Sequence, residues 1–168
     1  MMSKVIPLPN WRERIVETER GPKKSMMNLL IFMRNIPELG PRLRFNELSH
    51  QVEWNGEQIT DVDMADIRVH LEKERFDPPV RDVPLAVHRI ALENAYNPVV
   101  EYLDSLDWDG VPRLEHWMQK LLGADDTAFA RLVGPKVLIG ACARAIDPGC
   151  KVDTVLVLEG EQGLKKSS

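Results

Sequence analysis

Residues 152–168 read VDTVLVLEGEQGLKKSS and contain the most informative pattern in the sequence. The apolar run Thr154–Leu158 leads directly into Gly160, where the phosphate-binding pattern G-x-x-x-x-G-K-[ST] begins. The sequence departs from that pattern at Lys165, where the second glycine belongs. A strand followed by such a loop predicts the start of a P-loop α/β core, here with a degenerate loop.

The chemistry of such a loop assigns roles to its last residues. Backbone N–H groups surround the β-phosphate, Lys166 reaches the β- and γ-phosphates, and Ser167 binds Mg²⁺. Lys165 adds charge, but its Cβ lies where the backbone approaches the phosphate closely. The sequence offers no acidic strand end to hold Mg²⁺ and no water-positioning residue, so we expect no hydrolysis by this chain.

Composition is ordinary for a globular protein of 168 residues, with 43% hydrophobic and 29% charged residues. The net charge of −4 is not typical of a nucleic-acid-binding protein, but residues 1–44 hold nine Lys and Arg against four Glu. A basic N-terminal arm of this kind contacts phosphates in some proteins and is simply solvated in others. Both interpretations stay open.

Cysteine and histidine spacing gives no metal site or disulfide framework, since Cys142 and Cys150 are eight residues apart and the four histidines are scattered. No segment has the length of a signal peptide or membrane span, so no membrane association and a cytoplasmic location are expected.

Residues 25–95 mix helical and strand periodicity, after an irregular lead-in at 1–24 in which Trp11 is a candidate anchor. Ser25 is placed to cap a helix over about 26–36, which Pro37 ends. Two or three short strands are predicted at 43–59, with a turn at Asn55-Gly56.

Two more helices are predicted in this region. The first runs over about 61–75, is capped by Thr60 or Asp61, and places Met64, Ile67 and Leu71 in an apolar stripe. The second runs over 84–95 with Leu85, His88 and Leu92 along one side. The element content is that of a winged-helix-like region, a class that commonly binds DNA, by analogy of fold alone.

Residues 96–150 predict a helical region. Pro98 opens one helix, Asp107–Gly110 forms a turn pinned by Trp108, and Pro112 starts a second helix that ends at Gly123. The apolar residues of this hairpin are expected to point inward: Tyr96, Val99, Leu103, Leu106, Leu114, Trp117, Leu121 and Leu122. An EF-hand frame through Asp107 and Asp109 fails at its first and twelfth positions, so these aspartates are interpreted as turn and capping residues.

A long helix over about 126–146 follows, with Gly134-Pro135 expected to kink or split it. Its apolar side chains are expected to be largely buried: Phe129, Leu132, Val133, Val137, Ile139 and Ala143. Arg131, Lys136 and Arg144 project from it and are either solvated or near enough to the loop to sense phosphate. The strand at 154–158 has no parallel neighbours in this sequence, so we expect it to be disordered, packed on the helices as an edge, or prone to association.

Two blocks, NPVVEYLDSLDWDGVPRLEHWM at 97–118 and LGADDTAFARLVGPKVLIGACARAIDPGCKVDTVLVLEGEQG at 122–163, resemble the virulence-associated protein E (VapE-like) family. The family occurs in phages, prophages and pathogenicity islands, and is similar to superfamily 3 and poxvirus-type primase-helicases. The resemblance implies a mostly helical N-terminal region before a P-loop ATPase core, with a role in replication of the mobile element.

The resemblance also implies site residues and partners. Gly160, Gly163, Lys166 and Ser167 match the nucleotide loop, with Ser167 on Mg²⁺ and with ATP and Mg²⁺ as the family's cofactors. DNA and replication proteins are the implied partners, and the full-length proteins are implied to form homo-oligomers.

The sequence therefore predicts a mainly α protein with a small sheet (α+β) in four segments: 1–24, 25–95, 96–150 and 151–168. The leading interpretation is an N-terminal fragment of a mobile-element DNA replication ATPase, without catalytic activity as this chain. The alternatives are a non-enzymatic module that binds DNA or a replication partner through residues 1–123, and an inactive prophage remnant.

Overall fold

The computed structural model describes residues 10–160, which fall into two compact units, residues 10–98 and 99–160. The helices in the described range are α1 (Met26–Asn35), α2 (Asp61–Lys73), α3 (Asp82–Glu93), α4 (Pro98–Asp104), α5 (Trp117–Leu122) and α6 (Ala128–Ile146). The strands are β1 (Glu17–Thr18), β2 (Gly21–Pro22), β3 (Leu43–Asn46), β4 (Gln51–Trp54), β5 (Glu57–Gln58) and β6 (Ala95–Tyr96). The predicted α+β class is confirmed.

The first unit contains a four-stranded sheet with the order β5-β4-β3-β6. Strands β3, β4 and β5 are antiparallel, and β6 pairs parallel to β3 with Phe45 opposite Ala95. Asn55 and Gly56 both have positive φ, at 57° and 84°, as a two-residue type I′ hairpin turn requires. The predicted strands and turn are therefore confirmed, and β6 is an addition to them.

Local capping signals determine where α1 and α2 begin. The Ser25 hydroxyl accepts a hydrogen bond from the N–H of Asn28 at the start of α1. At α2, Thr60 and Asp63 form a reciprocal capping box. Both caps satisfy N–H groups that have no partner within the helix, and both helices lie where the sequence predicted them.

The hydrophobic core of this unit lies between the helices and one face of the sheet. Phe32 and Phe76 stack with ring centroids 4.5 Å apart at its centre. Its buried side chains come from α1, α2, α3, the first residue of β3 and the intervening loops: Leu29, Phe32, Met33, Ile36, Leu39, Leu43, Ile67, Leu71, Phe76, Val83, Ala86, Val87, Ile90 and Ala91.

Helix α3 buries the opposite side from the one named in the sequence analysis. Leu85 is 65% exposed and Leu92 is 43% exposed, and His88 is exposed beside them. The buried side is formed by Val83, Ala86, Val87, Ile90 and Ala91. The small side chains of Ala86 and Ala91 let this side of α3 approach β3 and α1 closely. The side that carries Leu85, His88 and Leu92 is too bulky for the same approach.

The lead-in contains more structure than the sequence predicted. A 3₁₀-helix spans Trp11–Arg14, and β1 and β2 form a two-stranded antiparallel hairpin. Trp11 packs edge-on against Phe32 with ring centroids 5.5 Å apart. Trp11 thus anchors this segment, as predicted. The winged-helix-like likeness of residues 25–95 stays a prediction.

The second unit departs from the predicted helical hairpin. Helix α4 does begin at Pro98 and Gly123 ends α5 in the left-handed conformation, but α5 begins only at Trp117 and not at Pro112. Trp108 is 78% exposed, so it does not pin the turn against the helices. Tyr96 belongs to β6, and the side chains of Val99, Leu106, Leu114, Leu121 and Leu122 are exposed rather than inward.

Helix α6 is continuous through Pro135. The proline removes one helical hydrogen bond without splitting the helix, so the predicted split is wrong. The predicted burial is also wrong for Phe129, Leu132 and Ile139, which are 74%, 67% and 59% exposed. Its buried residues are small: Ala130, Gly134 and Gly140.

Residues 151–160 form neither a helix nor an assigned strand. A parallel strand exists only through its neighbours, and none of the described residues supplies one, so the predicted strand at 154–158 does not form there. Of the helices in residues 10–160, none is both long and apolar enough to cross a bilayer.

Candidate nucleotide-binding segment

The predicted nucleotide loop lies almost entirely outside the described residues. Gly160 is described and exposed, whereas Gly163, Lys165, Lys166 and Ser167 fall beyond residue 160. Residues 151–159, here called the lead segment, directly precede Gly160 and define how the chain approaches the loop.

The lead segment presents alternate side chains to α6. Val152, Thr154 and Leu156 line a cavity against that helix. Val155 and Val157, which flank Leu156 in sequence, are 85% and 71% exposed. A period of two residues is that of an extended strand. The segment therefore packs as an edge on a helix, which is one of the three outcomes expected from its sequence.

Two contacts hold the lead segment against α6. An Arg144 guanidinium nitrogen donates to the Val152 carbonyl at 2.6 Å. Gly140 allows close approach, because a Cβ there would lie 3.0 Å from Cγ1 of Val152. The remaining space is a cavity of about 190 Å³ lined by Val137, Gly140, Ala141, Arg144, Val152, Thr154 and Leu156.

The three cations predicted to project from α6 differ in their contacts. Arg131 forms two hydrogen bonds with the carboxylate of Asp126, which raise the pKa of Arg131 and lower the pKa of Asp126. Arg144 is held at the lead segment. Lys136 is exposed and makes no ion pair with a described residue. Arg144 and Lys136 are thus the α6 cations that Asp126 does not neutralise.

The turn after α4 is organised mainly by Asp109, and Trp108 adds a hydrogen bond from its Nε1 to the Val111 carbonyl at 3.4 Å. Asp109 accepts two hydrogen bonds from Arg113, at 2.8 and 2.6 Å, and a third from the N–H of Val111. The hydrogen bonds from Arg113, followed by that from Val111, lower the pKa of Asp109 below its ordinary value. The predicted turn role of Asp109 is confirmed.

Metal ligands do not gather anywhere in residues 10–160: no three His, Cys, Asp or Glu side chains there are placed to hold an ion. Ser167, the residue assigned to Mg²⁺, lies outside this range. Its role stays a prediction.

Within the basic N-terminal region predicted over residues 1–44, residues 10–24 form a defined segment, here called the arm. Arg12 pairs with Glu74, and Lys24 pairs with Asp77 at 2.8 Å, which lowers the pKa of Asp77. The other cations of the arm are Arg14, Arg20 and Lys23, which are exposed and form no ion pair with a described residue. The arm is therefore fixed at both ends and presents free cations between them.

Asn28 is a structurally important residue that the sequence analysis missed. It is fully buried in α1, and its side chain bonds to the backbone of Val16 and Lys23. The sequence does carry a signal for this role, because Asn28 lies within the apolar stripe of α1 and a buried amide needs hydrogen-bond partners. The Asp109–Arg113 pair was also missed, although its spacing of four residues is visible in the sequence.

Comparison with protein families matches residues 103–168 to the virulence-associated protein E-like domain. The match covers α5, α6, the lead segment and the candidate loop, and it leaves the whole first unit outside. A search of curated proteins gives no match.

Proposed function

We propose that the protein is associated with a phage or another mobile element and serves its DNA replication through a nucleoside-triphosphate-binding loop, since residues 103–168 match the model of the virulence-associated protein E-like domain. The observation that carries the proposal is the lead segment, which packs on α6 with the side-chain period of a strand and runs directly into Gly160. A strand that ends at a glycine-started loop is the arrangement in which backbone N–H groups bind phosphate.

The proposed ligand is ATP with Mg²⁺. Gly160 and Gly163 leave room for the phosphates, Lys166 supplies charge to the β- and γ-phosphates, and Ser167 binds the metal. Lys165 weakens binding, since the side chain occupies a position at which the loop favours glycine. We propose that this chain binds ATP without hydrolysing it, because hydrolysis needs an acidic Mg²⁺ ligand on a second strand and a group that positions water.

Titration of the 168-residue protein with a fluorescent ATP analogue in Mg²⁺ tests this function. Saturable binding that is lost in Lys166→Ala and kept in Lys120→Ala supports it, because Lys120 is an exposed lysine of α5 outside the loop. Equal binding by both variants and the wild type contradicts a P-loop site.

A second candidate function is DNA binding by the arm of residues 10–24. Its support is the fixed geometry of the arm, which holds Arg14, Arg20 and Lys23 on one short exposed segment without ion-pair partners among the described residues. Three phosphate contacts are expected to give a slope of about −2 to −3 when the logarithm of the DNA-binding constant is plotted against the logarithm of the salt concentration. This function needs no nucleotide and no catalysis.

Fluorescence anisotropy with a labelled 20-base oligonucleotide, single- and double-stranded, distinguishes the two candidates. The triple variant Arg14→Glu, Arg20→Glu, Lys23→Glu is expected to lose binding at low salt, whereas Arg81→Glu, an exposed charge on the same unit, keeps it. No binding by the wild type at low salt contradicts DNA binding by the arm.

A further inference from the structure

Arg75 has a backbone conformation that arginine rarely adopts. Its φ is 59°, which lies in the left-handed region. The other non-glycine residues with positive φ in the described part of the chain are His50 and Asn55, and both of these residue types are enriched in that region. Arginine is not, and its conformation is costly because the Cβ lies too close to the following carbonyl oxygen.

This conformation of Arg75 ends helix α2. The N–H of Arg75 donates to the Glu72 carbonyl at 2.8 Å, and the N–H of Phe76 donates to the Leu71 carbonyl at 3.0 Å. Together these two bonds form a Schellman motif, in which the left-handed residue is usually glycine. The end of α2 therefore requires the left-handed backbone at residue 75, but it does not require an arginine side chain there.

The loop that carries Arg75 is joined to the arm by two ion pairs. Arg12, close to the start of the arm, pairs with Glu74. Lys24, at the end of the arm, pairs with Asp77 at 2.8 Å. Because Arg75 lies between Glu74 and Asp77 in sequence, its backbone is held beside the two ends of the arm.

The carboxylates closest to Arg75 in sequence are bound by other cations. Glu72 contacts Arg68 at 3.4 Å, and Asp77 accepts a second bond from Arg68 at 2.9 Å. Glu74 and Asp77 are also bound by the two cations of the arm. Arg75 is exposed, and the acids of its own loop are engaged elsewhere, so its guanidinium is available to another anion.

The favourable charge at the end of α2 does not explain Arg75 either. Lys73, in the last turn of the helix, already supplies the cation that a helix C-terminus favours. Strained backbone of this kind occurs mainly at functional sites. We propose that Arg75 contacts DNA phosphate together with the exposed cations of the arm, which rests on the second function proposed above.

The chemistry of arginine suits this contact. Its guanidinium is always charged and donates two parallel hydrogen bonds to a phosphate. Each phosphate contact on duplex DNA adds about −0.9 to the slope of the logarithm of the binding constant against the logarithm of salt concentration. With Arg75 as a fourth contact, the expected slope is about −3 to −4.

The variant Arg75→Gly tests the contact, because it affects folding and binding in opposite directions. Glycine relieves the left-handed strain, so the melting temperature is expected to rise by about 2–4 °C. The affinity for a labelled duplex of about 20 base pairs is expected to fall about five- to tenfold at 0.1 M salt, and the salt slope to become shallower by about 1. Arg75→Lys keeps the charge and is expected to keep the wild-type slope. Circular dichroism and fluorescence anisotropy over a salt series measure these changes.

Arg81→Gly is the matched control, since it removes an exposed arginine of the same unit from a residue with an ordinary φ of −62°. It is expected to keep the wild-type affinity and slope. If the triple variant of the arm loses binding while Arg75→Gly binds like the wild type, the arm function stands and the Arg75 contact is overturned. If the triple variant binds like the wild type, or the wild type does not bind, the arm function fails and the Arg75 contact fails with it. A melting temperature of Arg75→Gly below that of the wild type overturns the argument from strain.

Discussion

The buried side chain of Asn28 forms two hydrogen bonds with the backbone of Val16. Its Oδ1 accepts from the Val16 N–H at 3.0 Å, and its Nδ2 donates to the Val16 carbonyl at 2.8 Å. A third bond joins Nδ2 to the carbonyl of Lys23 at 2.9 Å. One side chain of α1 thus adds to the backbone pairing at the open end of the β1–β2 hairpin, where the Val16 carbonyl also accepts a hydrogen bond from the N–H of Lys23 at 2.8 Å.

Replacing Asn28 by alanine is expected to lower the free energy of unfolding by about 2–3 kcal/mol, because the Val16 N–H loses its partner and the carbonyls of Val16 and Lys23 each lose one of their two hydrogen bonds. Urea unfolding followed by circular dichroism measures the change. The control Asn35→Ala removes a single bond to the Ile31 carbonyl at the end of the same helix, and a loss below about 1 kcal/mol is expected. Equal losses for the two variants would contradict the role assigned to Asn28.

Gly40 is required by close packing against the end of α1. A Cβ at this position would lie 2.5 Å from the carbonyl oxygen of Met33 and 2.8 Å from that of Arg34. Gly40→Ala is therefore expected to destabilise the first unit by about 1–3 kcal/mol, since rigid backbone must move. Thermal unfolding of Gly40→Ala is compared with Gly149→Ala, where the nearest atom is 3.5 Å away; equal melting temperatures would refute the steric argument.

Glu93 links α3 to α1 through an ion pair that makes stability depend on pH. Arg34 donates to both of its oxygens at 2.8 and 2.7 Å, and Arg89 adds a weaker contact. The hydrogen bonds from Arg34 lower the pKa of Glu93. A lowered carboxyl pKa stabilises the fold above the unfolded value of about 4.3, and this contribution is lost as the pH falls through the folded pKa.

The pH dependence of unfolding therefore distinguishes Glu93→Gln from the wild type. The variant is expected to be less stable at pH 7, and the difference is expected to shrink below about pH 4. Glu57→Gln, at an exposed carboxylate with no ion pair to a described residue, is expected to follow the wild-type curve at every pH. A constant difference between Glu93→Gln and wild type across this range would argue against the ion pair.

The parts of the first unit that the sequence predicted well are set by local chemistry. Ser25, the Thr60–Asp63 box and Asn55-Gly56 each determine the backbone within four residues of themselves. The buried side of α3 depends instead on which stripe fits β3 and α1. Leu85 and Leu92 are as apolar as Val83 and Ile90, so periodicity alone does not decide between the two sides.

The second unit shows where sequence patterns mislead. Apolar spacing predicted inward-facing residues from Leu114 to Leu122, yet several of them are exposed. Burial needs a complementary surface, which periodicity does not reveal. The position of the lead segment was anticipated as one of three outcomes, because an apolar run without strand neighbours has few ways to shield its side chains. The site residues after Gly160 stay predictions.

Isothermal titration with Mg·ATP of the wild type and Lys165→Gly tests the nucleotide-binding loop most directly. If residues 160–167 form a phosphate-binding loop whose second glycine is replaced, removing the lysine side chain relieves about 1–2 kcal/mol of strain and tightens binding about tenfold. The same variant is expected to show no ATP hydrolysis. Binding of Lys165→Gly that is no tighter than wild type, together with binding that persists in Lys166→Ala, would contradict a nucleotide site in this loop.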